Sequence, residues 1–363
     1  MNEEPKVPQL PTGVDHPLLA TRIKQWGNAL GFQHIGISDI NLDHAGTHLN
    51  RWLAAGRHGA MDYMACNVDK RSHPEQLVDG TVRVISARMN YRVDVVDTEH
   101  ILRQPQLGFV SRYALGRDYH KLLRKRLQKL ADRIVDEVDD LGYRVFVDSA
   151  PVLEKALAEK AGLGWIGKHT NVLSRNAGSW FFLGEIYIDA PLPVDSPSTN
   201  HCGTCQACID ICPTRAIVAP YQLDARLCIS YLTIELRGSI PEELRRPMGN
   251  RIYGCDDCQL VCPWNRYADL TTETDFLPRH SLDAPQLLAL FSWSEEEFLR
   301  RTEGSPIRRI GHACWLRNIA VALGNGPKTD NVRRALTEKL NHPSALVREH
   351  VAWALAQPNH APV

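Results

Sequence analysis

The sequence predicts an α/β domain, then a cysteine-rich ferredoxin-like α+β module, then C-terminal HEAT-like α-helical repeats. Residues 118–162 read as helix, strand, turn and helix; eight of the ten cysteines fall between positions 202 and 262; and an apolar helical pattern recurs 32 residues apart near the C-terminus. At 363 residues the chain is longer than one domain of roughly 100–200 residues, and these patterns place the boundaries at 1–190, 191–280 and 281–363. A composition of 44% hydrophobic and 23% charged residues is that of a globular protein and excludes collagenous or wholly disordered classes.

The opening stretch, MNEEPKVPQLPTGVDHPLLA, is acidic and proline-rich and lacks the basic and apolar regions of a secretory signal. The most apolar stretch, Trp180 to Ile188, falls well short of the roughly 18 residues of a membrane span, and it carries Glu185. A cytoplasmic protein with no membrane segment is expected. From Asp118 to Leu141 the residues Leu123, Leu127, Leu130, Ile134, Val138 and Leu141 recur three or four apart, the stripe of an amphipathic helix. After Gly142, Tyr143–Asp148 reads as a strand, with Ser149 as N-cap and Pro151 early in a helix that Gly162 stops. Asp148 then stands at the carboxyl end of a strand, where α/β sheets place ligands. Residues Ala161–Lys168 are glycine-rich but lack the P-loop pattern and follow a helix. Their glycines either let the backbone approach a bulky cofactor or form a plain turn.

The cysteines form two runs, Cys202-x2-Cys205-x2-Cys208-x3-Cys212-Pro213 and Cys228 followed by Cys255-x2-Cys258-x3-Cys262-Pro263. A cubane needs four thiolates converging on its corners, and one loop with three closely spaced cysteines reaches only three. In two-cluster ferredoxins the fourth cysteine of each run serves the other cluster. One [4Fe–4S] cluster is therefore assigned to Cys202, Cys205, Cys208 and Cys262, and the other to Cys212, Cys228, Cys255 and Cys258. Structural zinc is the alternative for C-x2-C pairs, although it needs neither the third cysteine nor the C-P ending. Disulfides fit poorly without an export signal. Between Cys228 and Cys255 lie 26 residues carrying Arg237, Arg245, Arg246 and Arg251, an insertion expected to do more than hold iron. Cys66 and Cys314 are expected to be small buried residues.

In the tail, Leu316–Gly324 repeats as Arg348–Ala356 with apolar or small residues on one face, as in a short HEAT-like stack or a simpler helical cap. Forty-two basic residues cancel forty-two acidic ones overall, yet residues 300–363 hold ten Lys/Arg against four Asp/Glu, and residues 112–133 hold eight against two. Such local surpluses are either solvated helix faces or surfaces able to meet phosphates.

The strings SRYALGRDYHKLLR (Ser111–Arg124), VDSAPVLEKALAEKAGLGWIGKHTN (Val147–Asn171), GSWFFLGE (Gly178–Glu185), CISYLTIE (Cys228–Glu235) and YGCDDCQLVCPWN (Tyr253–Asn265) resemble the epoxyqueuosine reductase family. The resemblance extends from about Gly56 into the terminal repeats. It implies the last step of queuosine synthesis on tRNA, removal of the epoxide oxygen from epoxyqueuosine at the wobble position. It also implies a cobalamin beside the two clusters, in a fold related to reductive dehalogenases. The chain carries no DxHxxG corrinoid signature, since Leu123 stands where the glycine of Asp118-Tyr-His120 would fall.

By this resemblance Asp148 is the proton donor to the opening epoxide, a role for which burial must keep its carboxyl protonated. Arg71, Ser111, Asp148, Val172 and Leu183 would line the corrinoid, with Cys255 and Asp256 beside the second cluster, and Asp118 and His120 are further active-site candidates. The implied partners are tRNA, held through phosphates by the insertion and by Arg308, Arg309, Arg317, Arg333 and Arg334, and an external low-potential electron donor; a monomer is expected. A corrinoid reductase of a small molecule and a ferredoxin-type electron-transfer protein are the competing functions.

Overall fold

The computed structural model describes residues 15–359, so most of the proline-rich opening segment lies outside the described residues. Strands β1 (His34–Ser38), β2 (Arg83–Asn90), β3 (Tyr143–Phe146) and β4 (Phe181–Ile188) form a sheet in the order β1-β2-β4-β3. Every neighbouring pair is antiparallel. Helices and strands mix as expected, but the sheet is not built from parallel βαβ units, because the long connection from β3 returns the chain in the opposite direction.

The sheet is covered on both faces, so β4 reads as a nearly continuous apolar run and the polar residues of β2, Ser86, Arg88 and Asn90, are buried with it. Ile85, Ala87, Met89, Ile186 and Ile188 meet helices α1 (His16–Ala29) and α2 (Tyr119–Val135). Val84, Phe146 and Tyr187 face the other way, against Leu157 of α3 (Glu154–Lys160). The end of α3 sits so close that a Cβ on Gly36 would lie 2.0 Å from the carbonyl oxygen of Ala161. Helix α2 begins at the expected place, with Asp118 as its N-cap. Strand β3 ends at Phe146, two residues before Asp148, and Ser149 does not cap a helix: α3 starts only at Glu154, after Leu153. The chain has already turned at Asp148, whose φ is +53°.

The tail comprises α4 (Gly311–Asn325), α5 (Asp330–Glu338) and α6 (Ala345–Ala356). The repeated segments fall on α4 and α6, which pack together so closely that a Cβ on Gly324 would lie 2.4 Å from the Trp353 ring. From Cys314 to Gly324 α4 is buried all round. Its Asn318 amide donates to the carbonyl oxygens of Thr233 and Ile252, both at 2.9 Å. One hydrophobic cluster runs from Leu19 through Leu232 and Ile252 to Ala354, so the three sequence segments share a core. No helix among the described residues is long and apolar enough to cross a membrane.

Candidate active site and cysteine-lined cavities

The eight clustered cysteines divide between two cavities. A cavity of about 230 Å³ is lined by Cys202, Cys205, Cys208 and Cys262, with Lys168, His201 and Trp264. A larger one, about 400 Å³, is lined by Cys212, Cys228, Cys255 and Cys258. Each takes one cysteine from the opposite run. The Lys168 ammonium donates to the carbonyl oxygens of Gly203 at 2.7 Å and Cys205 at 2.8 Å, pinning the first loop. Burial first, then the proximity of Cys262, Cys202 and Cys205, pushes the Cys208 thiol up to about 11. Thiols gathered in this way give up their protons to a cationic centre. Among the described residues no three His, Cys, Asp or Glu side chains converge on one point as a single ion requires; the cysteines ring a space instead.

Ser111, Val172, Leu183, Cys255 and Asp256 all line the larger cavity. The Ser111 hydroxyl donates to Asp256 Oδ1 at 2.5 Å and the Arg112 amide to Oδ2 at 2.9 Å, so this carboxylate is fixed in the wall. His169 also lines the cavity, and its Nε2 is buried without a partner among the described residues. Arg71 is not in the lining; its guanidinium donates to the Tyr63 carbonyl oxygen at 2.8 Å.

Asp118, His120 and Asp148 form a charged cluster beside the cavity rather than part of its wall. Tyr119 joins the two: its ring lines the cavity and stacks on Phe182 with centroids 3.8 Å apart, while its hydroxyl donates to Asp148 Oδ2 at 2.7 Å. His120 reaches Asp148 Oδ2 through Nε2 at 3.2 Å and Asp118 Oδ1 through Nδ1 at 2.6 Å. Arg309 closes the cluster by pairing with Asp118 Oδ2.

The expectation that burial keeps Asp148 protonated is corrected here. Its side chain is 53% exposed. Desolvation does favour the neutral acid, but the hydrogen bonds from His120 and Tyr119 prevail and hold the carboxyl below its usual range. Desolvation likewise opposes a charge on His120, yet hydrogen bonds to Asp118 and Asp148 push its pKa up to about 9. Near neutral pH the cluster's proton therefore sits on the imidazole.

Sequence reasoning missed Tyr119, Glu154 and Glu185. Glu154 accepts the Asp148 backbone N–H at 2.6 Å, and Glu185 is fully buried in β4. The lone charge inside the apolar stretch 180–188 was the available signal for Glu185.

Several basic residues expected at a phosphate surface are committed elsewhere. Arg317 is wholly buried and donates to the carbonyl oxygens of Leu236, Gly238 and Leu232 at 2.6–2.8 Å. Arg245 is buried against Glu349, and Arg251 pairs with Asp257. Arg309 belongs to the Asp118 cluster. Arg237, Arg246, Arg308, Arg333 and Arg334 are exposed. Cys314 is buried as expected, but Cys66 is exposed, in a stretch at the surface.

Two sets of four cysteines beside a polar catalytic-type cluster define a two-cluster iron–sulfur redox protein, and a family model described as "4Fe-4S double cluster binding domain" matches residues 201–265. A second model, "Epoxyqueuosine reductase QueG, DUF1730", matches residues 71–149. The epoxyqueuosine reductase of Pseudomonas aeruginosa is 63% identical over 342 residues, covering 94% of this chain and 95% of that protein. That of Escherichia coli K12 is 61% identical over 340 residues, covering 93% and 89%. A crystal structure of epoxyqueuosine reductase with an epoxyqueuosine-modified tRNA-Tyr stem loop is similar at a TM-score of 0.86 and 29% identity, covering 94% of this chain and 90% of that one. The Bacillus subtilis enzyme, with its catalytic loop swung out of the active site, is similar at a TM-score of 0.83 and 28% identity, covering 93% and 89%. The chain belongs to the epoxyqueuosine reductase family.

Proposed function

We propose that this protein reduces epoxyqueuosine at the wobble position of tRNA to queuosine, the last step of queuosine biosynthesis. The observation that carries this is the larger cavity, where four cysteines, the apolar wall of Phe181, Phe182 and Leu183, and Tyr119 with its bond to Asp148 come together. Full-length similarity to epoxyqueuosine reductases supports it.

Cys202, Cys205, Cys208 and Cys262 would hold one [4Fe–4S] cluster, and Cys212, Cys228, Cys255 and Cys258 the other. A cobalamin would lie in the larger cavity against Ser111, Val172, Leu183 and Asp256, a wall that offers apolar surface and an Nε2 of His169 with no partner among the described residues. When bound, these groups would supply one-electron redox chemistry at low potential. Cys205 is exposed, so an external low-potential donor would meet the protein at the smaller cavity.

Converting an epoxide to an alkene takes two electrons and two protons and releases the oxygen as water. The residues of this chain provide the first proton. His120 and Asp148 hold it between Nε2 and Oδ2, Tyr119 fixes the same carboxylate oxygen, and the half-exposed Asp148 presents it to the epoxide oxygen. Asp118 and Arg309 orient the imidazole from behind. The exposed Arg237, Arg246, Arg308, Arg333 and Arg334 would meet tRNA phosphates while the splayed wobble base enters the pocket.

The test is anaerobic turnover of epoxyqueuosine-containing tRNA. The wild-type protein should yield queuosine, and Asp148→Ala should not, with cluster and cobalamin absorbance retained. Near-normal turnover in that variant would sink the proton-donor role, and no product from the loaded wild type would sink the function.

A further inference from the structure

We propose that Glu154 and Glu185 share one proton and together act as the positioning pair that holds the Asp148 turn in its working conformation. This deepens the proposed proton-donor role of Asp148 and rests on it.

Asp148 needs such a hold. Its φ of +53° lies in the left-handed region, which disfavours a residue with a Cβ, and its side chain is half exposed just beyond the end of a short strand. The one backbone donor of the residue is taken by Glu154 Oε1 at 2.6 Å, from the first position of α3. Glu154 is thus attached to the catalytic turn by the main chain, independently of the side-chain bonds that His120 and Tyr119 make.

Glu185 lies behind Glu154. It is 0% exposed, in register with Ser86 on β2 and Phe146 on β3, on the sheet face that α3 covers. With both carboxyls ionised, neither oxygen of Glu185 has a donor among the described residues, and the Ser86 hydroxyl is likewise unpartnered. A proton on Glu185 closes the arrangement, because it then donates to Glu154, which in turn accepts the Asp148 N–H. Glu154 and Glu185 are hydrogen-bonded to each other and Glu185 is fully buried, so the two carboxyls resist ionising together.

The surrounding charges agree. Burial foremost, then the negative charge of Glu154, raises Glu185 well above the usual carboxyl range. Burial foremost, then Asp148, raises Glu154 to about 7. Asp148, His120 and Glu185 face Glu154 directly, with Tyr119 and Tyr187 nearby; Lys155 is turned to the Thr170 carbonyl oxygen at 2.9 Å. An ionised Glu154 is the stronger acceptor for the Asp148 amide, so the turn is held best above pH 7 and released as Glu154 protonates.

The experiment compares Glu154→Ala, Glu154→Gln and Glu185→Gln with the wild type, using epoxyqueuosine tRNA and the fully loaded protein. The wild type should show an acid limb in kcat near pH 7. Glu154→Ala should lose about 10–100-fold in kcat with KM for tRNA unchanged, the loss expected of a misplaced catalytic group. Glu154→Gln keeps an acceptor oxygen, and should recover most of that rate without the acid limb. Independently of turnover, pH-difference infrared spectra should show a protonated buried carboxyl that Glu185→Gln removes. Wild-type rate and pH profile in Glu154→Ala, or no such carboxyl band near neutral pH, would overturn the proposal. A wild type that binds tRNA but makes no queuosine would instead overturn the function it rests on, and the infrared result would still stand.

Discussion

Replacing His120 with glutamine interrogates the proton couple directly. In the structure the imidazole lies between Asp118 Oδ1 at 2.6 Å and Asp148 Oδ2 at 3.2 Å. Burial works against its charge, the two carboxylates more than offset that, and its pKa rises from 6.5 to about 9. This rise corresponds to roughly 3 kcal/mol at about 1.4 kcal/mol per pH unit. Solvent at the 53% exposed Asp148 screens the contact, leaving an effect on the order of 1–2 kcal/mol. The sign follows from the direction: a raised pKa means the protonated couple is fully present below 6.5 and is lost as the pH climbs through about 9. Single-turnover conversion by pre-reduced protein should therefore show an alkaline limb near pH 9 in the wild type. In His120→Gln that limb should vanish and the rate at neutral pH should fall on the order of tenfold, because Asp148 alone is almost wholly ionised there. A His120→Gln protein that kept both the limb and the neutral rate would refute the assignment of the proton to this pair.

Two further contrasts separate structural from functional residues. Arg317→Ala empties a fully buried site and strands three carbonyl oxygens, that of Leu232 fully buried, and should lower the melting temperature, with a stability loss of about 3–5 kcal/mol. Arg333→Ala, at an exposed position, should melt normally but bind tRNA more weakly and with a shallower salt dependence; an Arg317 variant that melted like the wild type yet bound tRNA poorly would reverse the distinction. Among the cysteines, Cys205→Ala and Cys258→Ala should each remove about half of the roughly eight irons expected from two cubanes. Zinc in place of iron after anaerobic purification would break the cluster assignment altogether.

What could be read from the sequence was information carried by local spacing. Cysteine runs announce ligands because a loop of fixed geometry must wrap a cluster of fixed size, and the Leu123–Ile134 stripe announces a helix because its period is the helix's own. The tail repeat was legible for the same reason, with Gly324 and Ala354 the small residues that let α4 and α6 approach. Sheet direction was not legible, since a single strand pattern does not encode whether the next strand returns parallel or antiparallel. Nor was the fate of individual arginines: Arg317 and Arg333 are identical in composition and charge counts, but one sits in the core and the other in water.

The protonation of Asp148 shows why local signals stop short of chemistry. The resemblance carried by VDSAP implies an acid kept neutral by burial. The following helix begins only at Glu154, and the anion is instead favoured by Tyr119 and His120, 28–29 residues upstream. His120 in turn is charged because Asp118 holds its other nitrogen, and Asp118 is anchored by Arg309, almost two hundred residues downstream. Proton affinity at the reacting residue is therefore a property of three segments, 118–120, 148 and 309, that only the fold brings together. Substituting Arg309 with a neutral residue would loosen the anchor on Asp118, even though this arginine had been assigned to the tRNA surface on charge alone.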